Sequence, residues 1–401
     1  MPCTWRHAVV RCREGAARGG RGAMIAAHVV VVGSGVVGAG AAYELARCGV
    51  RVTIVEAEYG GRATAAGAGI VAPGTSLRAP EAYATLSEAA AADYPRLLAC
   101  LREDGQDTGW YGVCGALFVA ADEPEAERLD AVQHVFEERV RRGVPNMAAV
   151  RRLDGRAARE LFPPLADIAG AIHVEGAARL DGRALRAALL AAAVRRGARP
   201  VTGAAEPLVA DGRMVGVRVG TKRIGADAVI LAGGAWSAAF ARAAGVEIGV
   251  YPQRGQIVHV DFPAAATDGW PVLVGFHTHY MVAFPPHRLV AGATREDGPG
   301  FDDRATAGGM AEVLGQLLRL APGATEATFV EFRVGLRPAS VDQLPVLGEA
   351  PGAPGLFVAT GHGANGLTAG AYSGLLVARQ ALGEVPAFDL APFAPDRLAH
   401  P

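Results

Sequence analysis

His28-Val29-Val30-Val31-Val32-Gly33-Ser34-Gly35-Val36-Val37-Gly38 is the stretch on which the fold turns. Residues 28–32 form a β-branched run of the kind that is buried in a parallel sheet. Gly33 permits a tight turn. Gly35 lets the backbone approach a pyrophosphate seated on a helix N-terminus, and Gly38 lets helix and strand pack closely. Residues 39–48 read as that helix, with Gly49 suited to a left-handed cap. Residues 51–55 read as a second strand, and Glu56 ends it, placed to accept hydrogen bonds from ribose hydroxyls. Strand, turn, helix, strand and acid in this order predict a dinucleotide site. On this stretch alone, NAD and FAD are both open.

A second glycine-rich turn, Gly361-His362-Gly363-Ala364-Asn365-Gly366, lies more than three hundred residues away. An apolar strand at 356–360 precedes it and a helix at 367–382 follows. The helix N-terminus offers backbone N–H groups and a positive dipole end to an electron-rich group. A flavin dinucleotide needs both of its ends held, whereas a nicotinamide nucleotide leaves this turn unexplained. The loop at 60–73 consists mostly of small residues, so its backbone can face a ligand directly.

Composition narrows the rest. The 401 residues are 51% apolar, which allows a large core and suggests two domains. A net charge of −1 gives no electrostatic case for nucleic acid. Five cysteines, an odd number without metal-ligand spacing, suit a reducing compartment and predict no metal site. The apolar stretch 24–46 contains the strand–turn–helix order and is not read as a membrane span. Residues 1–24 lack apolar periodicity and a secretory core, and are expected to be an extension without stable structure. The expected location is cytoplasmic, with a peripheral place on the inner membrane face left open. Further helices are expected at 81–102, 125–142, 181–196 and 312–320. Strands are expected at 110–119, 228–232, 256–260, 280–284 and 288–292, with a hairpin over 213–226.

Three more segments carry a family resemblance. They are Ala63-Thr64-Ala65-Ala66-Gly67-Ala68-Gly69-Ile70, then Val229-Ile230-Leu231-Ala232-Gly233-Gly234-Ala235-Trp236-Ser237, and then Gly335-Leu336-Arg337-Pro338 with Asp342, Pro345, Val346 and Gly348. Together with the two turns, they make residues 25–386 resemble the FAD-dependent amine and amino-acid oxidoreductases, the glycine oxidase and D-amino-acid dehydrogenase branch above all. The resemblance implies an α/β flavin domain of glutathione-reductase type, Rossmann-like, interleaved with an α+β substrate domain built on an antiparallel sheet. It assigns 25–108, 177–240 and 334–386 to the flavin domain, 109–176 and 241–333 to the substrate domain, and 387–401 to a tail. It implies non-covalent FAD held by Gly33, Gly35, Val36, Val37, Gly38 and Glu56 at the adenosine diphosphate half. Thr64, Ala68, Gly69 and Ile70 fall along the pyrophosphate and ring edge, and Gly335, Gly363, Ala364, Asn365, Gly366, Leu367 and Thr368 fall around the ring.

The same resemblance implies that Arg337 clamps a substrate carboxylate, with Tyr280 helping to hold it. A guanidinium fork matches a carboxylate bidentately. The implied reaction takes a hydride from the α-carbon of a D-amino acid or glycine-like substrate to flavin N5, and water then hydrolyses the imino acid to a keto acid and ammonia. Oxygen, a quinone or another acceptor then reoxidises the flavin, and a homo-oligomer is left open. His277, His279 and His362 are the nearest candidates for an acid or base. Two departures stand out. Ala364 occupies a place where some glycine oxidases carry a second arginine, so a second positive contact must come from elsewhere or be absent. The only lysine is Lys222, in a predicted hairpin turn, so the lysine that some relatives set over the ring for oxygen is not expected and a dehydrogenase gains ground. The alternative is a flavin-binding subunit of a larger amine or proline dehydrogenase complex, with little activity alone.

Overall fold

The computed structural model describes residues 26–398; the expectation for residues 1–24 lies outside them. The opening strand His28–Val32 is fully buried, as its β-branched run predicts. It pairs in parallel with Arg51–Glu56 on one side and Ala228–Leu231 on the other. A six-stranded sheet grows outward from this centre, bounded by Arg199–Thr202 at one edge and Val346–Glu349 at the other. Only the Val346–Glu349 strand runs antiparallel to its neighbour, Leu356–Thr360. Val36–Arg47 and Gly366–Ala381, the helices that follow the two glycine turns, pack against the same sheet. An ion pair between Glu44 and Arg379, both largely buried, joins them. Both helix N-termini therefore face the same end of the sheet, beyond the carboxyl ends of its strands, which is where ligands bind in open α/β sheets.

An eight-stranded sheet stands beside this layer, in the order Thr328–Ser340, Val250–Asp261, Arg288–Gly292, Tyr280–Phe284, Val272–Gly275, Ala116–Ala120, Gly170–Val174 and Val150–Leu153. Every neighbouring pair is antiparallel except Val272–Gly275 with Ala116–Ala120. Two small three-stranded sheets complete the architecture. The class is the expected one, a Rossmann-like α/β sheet joined to a largely antiparallel sheet.

Several boundaries move from the sequence reading for local reasons. The strand expected at 110–119 is broken into Tyr111–Val113 and Ala116–Ala120 by Gly115, whose φ is +76°. The helix expected at 125–142 is two pieces, Glu123–Ala126 and Leu129–Arg141. The helix expected at 312–320 begins earlier, at Ala307, because Thr306 caps it through a hydrogen bond from the Gly309 amide. Thr328–Ser340 forms a 13-residue strand that the sequence reading did not identify as one. Lys222 begins the strand Lys222–Gly225 of a peripheral hairpin sheet and is exposed.

Candidate active site

The first turn is closed by sterics. A Cβ at Gly33 would overlap the Ala232 carbonyl, and one at Gly38 would overlap the Gly33 carbonyl oxygen. Gly33 also has φ +96°, a conformation that side chains other than hydrogen disfavour. Glu56 accepts from the Ser34 amide at 2.8 Å and from the Ser34 hydroxyl, and from the Glu58 amide at 3.2 Å. Burial pushes this carboxyl up, but those hydrogen bonds and the nearby Arg186 outweigh it, so the group lies below its ordinary value and is ionised at neutral pH. The Thr64 hydroxyl accepts from the Val36 amide at 3.0 Å, tying the 63–70 loop to the helix N-terminus. Thr368 donates to the Ile70 carbonyl at 2.9 Å and ties the same loop to the second turn.

The second turn is held from behind by a helix that the sequence reading gave no role. Tyr83 on Glu81–Glu103 donates to the His362 carbonyl at 2.5 Å, and Tyr94 donates to that of Leu367. The His362 ring is 1% exposed, and neither of its nitrogens has a hydrogen-bond partner. Burial lowers its pKa to about 4. His259, also buried, is lowered to about 4 by burial first and then by Arg333. Both rings are neutral in the folded protein and ionise near 6.5 when unfolded. The unfolded chain therefore binds more protons between pH 6.5 and 4. The stability these rings contribute is complete above pH 6.5 and is lost as pH falls toward 4, at about 1.4 kcal/mol per pH unit for each ring. Calorimetry of the purified protein should show a clearly lower Tm at pH 5 than at pH 7; an unchanged Tm would contradict it.

The two turns and the 63–70 loop open onto one cavity of about 1080 Å³. All the residues expected to hold the cofactor line it except Gly38, which lies behind the turn and packs against Gly33. Tyr280 and Arg337 line it as well. One end is aromatic: Trp236 stacks on Tyr59 at 5.0 Å between ring centroids and on Phe301 at 5.5 Å. Arg186 donates to the Ser34 carbonyl at 2.6 Å beside Glu56. Arg186 and Tyr59 escaped the sequence reading because nothing local marks them; the signal for Trp236 was its place in the 229–237 segment.

Arg337 projects from the strand Thr328–Ser340 over Gly255 of the neighbouring strand, where a Cβ would collide with its guanidinium. Gly292 leaves the same kind of space for the Tyr280 hydroxyl. Arg337 donates to the Thr294 carbonyl at 2.9 Å and to Gln253 Oε1 at 3.4 Å. Among the described residues no carboxylate lies within salt-bridge distance of it. Burial lowers its pKa, Tyr280 opposes that shift, and Arg295 adds to it. Arg295 lines the cavity, is exposed, and acts electrostatically on both Arg337 and Tyr280. Ala364 lines the cavity on the opposite turn. His277 and His279 also line the cavity; each faces a carboxylate at 3.2 Å, Glu125 and Glu312 respectively. Burial, ahead of those carboxylates, lowers both imidazoles.

A glycine cradle at one helix N-terminus and a second helix N-terminus across the same cavity fit a flavin dinucleotide. The family model for FAD-dependent oxidoreductases matches residues 28–380. The chain belongs to that family and is an FAD-dependent oxidoreductase. It is 40% identical to the iminodiacetate oxidase of Chelativorans sp. BNC1, whose crystal structure aligns with a TM-score of 0.88 over 92% of this chain and 98% of that one. It is 34% identical over 375 residues to the glycine oxidase of Geobacillus kaustophilus (strain HTA426), covering 91% of this chain and 96% of that protein. An uncharacterized oxidoreductase of Bacillus subtilis (strain 168) is 40% identical over 367 residues, covering 91% of this chain and 98% of that protein. No helix among the described residues is long and apolar enough to cross a membrane.

No cysteine lines the cavity among the described residues. This leaves no thiol to attach the flavin, and FAD is expected to be non-covalent. Acid precipitation should release all of the yellow chromophore into the supernatant, and flavin left in the pellet would refute this.

Proposed function

We propose that this enzyme oxidises a small amino acid, a D-amino acid or a glycine-like one, to the imino acid, which water hydrolyses to a keto acid and ammonia or an amine. The observation that carries this reading is Arg337, a largely buried cation with no carboxylate partner among the described residues, beside Tyr280 in the flavin cavity. Its guanidinium would fork onto the substrate carboxylate, with the Tyr280 hydroxyl as a further donor. Burial raises the Tyr280 pKa, which keeps the phenol neutral at physiological pH. Bound FAD supplies the hydride acceptor. The chain's own contribution is to hold the α-carbon in position and to neutralise charge. A substrate bound as the neutral amine needs no protein base. His277 and His279, neutral at the cavity wall, are the nearest groups to accept its proton.

Arg295 supports a finer reading of the substrate. A second exposed cation near the clamp suits a substrate with a second carboxylate, and a relative 40% identical is an iminodiacetate oxidase. The test is turnover by the isolated chain on glycine, sarcosine, D-alanine, D-proline, iminodiacetate and a simple alkylamine, followed with oxygen and with an artificial acceptor. Oxidation of an amino acid, strongest with iminodiacetate, is expected. Equal activity on the alkylamine would remove the carboxylate clamp. No activity on any of them would favour a flavin-binding subunit of a larger complex.

A further inference from the structure

Behind the 63–68 loop lies a second cavity of about 570 Å³. Thr64, Ala65, Gly67, Ala68 and Arg183 border both cavities, so the 63–68 segment is the wall between them, with Arg183 beside it. The second cavity is lined by His259, Arg179, Arg183, Arg288 and Arg333, with Trp110 at its side. His259 is 4% exposed and Arg179 is 6% exposed. Arg288 approaches His259 Nδ1 at 3.5 Å. A guanidinium can only donate, so Nδ1 accepts and Nε2 carries the hydrogen. That Nε2 is buried and has no partner. Arg179 donates one nitrogen to the Asp268 carbonyl at 2.9 Å, while its buried Nη1 makes no hydrogen bond.

The acids of this cavity are already engaged. Asp261 pairs with Arg288 at 2.7 Å, Asp181 accepts the Arg183 and Ala184 amides, and Asp107 accepts the Gly109 amide. Outside the cavity lining, Glu331 pairs with Arg333 at 2.6 Å. Arg179 and Arg183 have no carboxylate within salt-bridge distance among the described residues. Arg183 and Arg333 both donate to the Ala65 carbonyl, at 3.0 and 3.5 Å. His259 Nε2 and Arg179 Nη1 are buried donors without acceptors, which is costly, and an oxyanion is their complement; Arg183 is exposed and adds positive charge.

We propose that this cavity is a second binding site, for a small carboxylate or phosphate-type anion held by His259 Nε2 and the Arg179 and Arg183 guanidinium groups, separate from the substrate clamp at Arg337. Calorimetric titration of the flavin-loaded protein with oxalate and, separately, with inorganic phosphate distinguishes the two sources of anion. Saturable binding of at least one is expected, and it should survive in Arg337→Ala, where the substrate clamp is gone. His259→Leu and Arg183→Gln should each weaken it about tenfold or more, the effect of losing one charge-assisted donor. The flavin spectrum should be unchanged in His259→Leu, whose side chain lines this cavity and not the flavin cavity. Trp110 gives a reading that does not depend on those variants: wild-type fluorescence should change with the calorimetric midpoint, and Trp110→Phe should lose the change. No saturable binding at millimolar concentration, loss of binding in Arg337→Ala, binding unmoved by both donor variants, or a fluorescence change retained in Trp110→Phe would each overturn the proposal.

Discussion

Arg337→Ala is expected to weaken amino-acid binding by about tenfold to over a hundredfold, the equivalent of roughly 1.5–3 kcal/mol for a charge-assisted pair. FAD content should stay at the wild-type level, because Arg337 stands on the strand that roofs the cavity and not on either glycine turn. The bonds to Thr294 and Gln253 give this residue a structural share, so the Tm of the variant belongs in the same experiment. Arg337→Lys should recover only part of the loss, since an ammonium keeps the charge but not the planar fork. The measurement is KM against kcat with the best substrate. If the alanine variant turns over every active amino acid with wild-type KM, Arg337 is structural and the substrate is recognised elsewhere.

Gly38→Val is expected to leave the protein without flavin. A Cβ at Gly38 would occupy the position of the Gly33 carbonyl oxygen, so the turn and its helix must separate. That separation disturbs the 2.8 Å contact of Glu56 with the Ser34 amide and the N-terminal amides of Val36–Arg47 together. Overpacking of this kind costs about 1–3 kcal/mol in stability alone. Gly363→Ala is the contrast. Its Cβ would meet no protein atom within 4 Å, although it borders the cofactor cavity, and its φ of +51° opposes substitution. The strain there is about 1–2 kcal/mol and leaves the first turn intact. The ratio of flavin to protein absorbance in the two purified variants checks this; a fully yellow Gly38→Val would refute the packing argument.

The parts of this molecule that were legible in the sequence are those written in local code. Strand, glycine turn and helix follow one another within a few residues at 28–47 and again at 356–381, so spacing alone discloses both. Groups whose partners lie far along the chain were not legible. Tyr83 and Tyr94 look like core aromatics until the fold lays them under residues 362 and 367. Arg295 is one arginine among many until sheet pairing brings it beside Tyr280 and Arg337. The strand Thr328–Ser340 was hidden by Gly335 and Pro338, which argue against a strand interior. It forms at a sheet edge, where proline is tolerated, and pairs along its length with Val250–Asp261, whose Pro252 faces Pro338. Residue type and spacing report the nucleotide site well because backbone geometry makes that site. They report the substrate site poorly because distant side chains make it.

The most direct test of the account is anaerobic mixing of the flavin-loaded protein with the amino acids of the panel, the yellow absorbance being followed and the products then assayed. The account predicts that at least one amino acid bleaches the flavin completely and yields one keto acid per flavin. A flavin that dithionite reduces but that stays oxidised with every amino acid offered would contradict it.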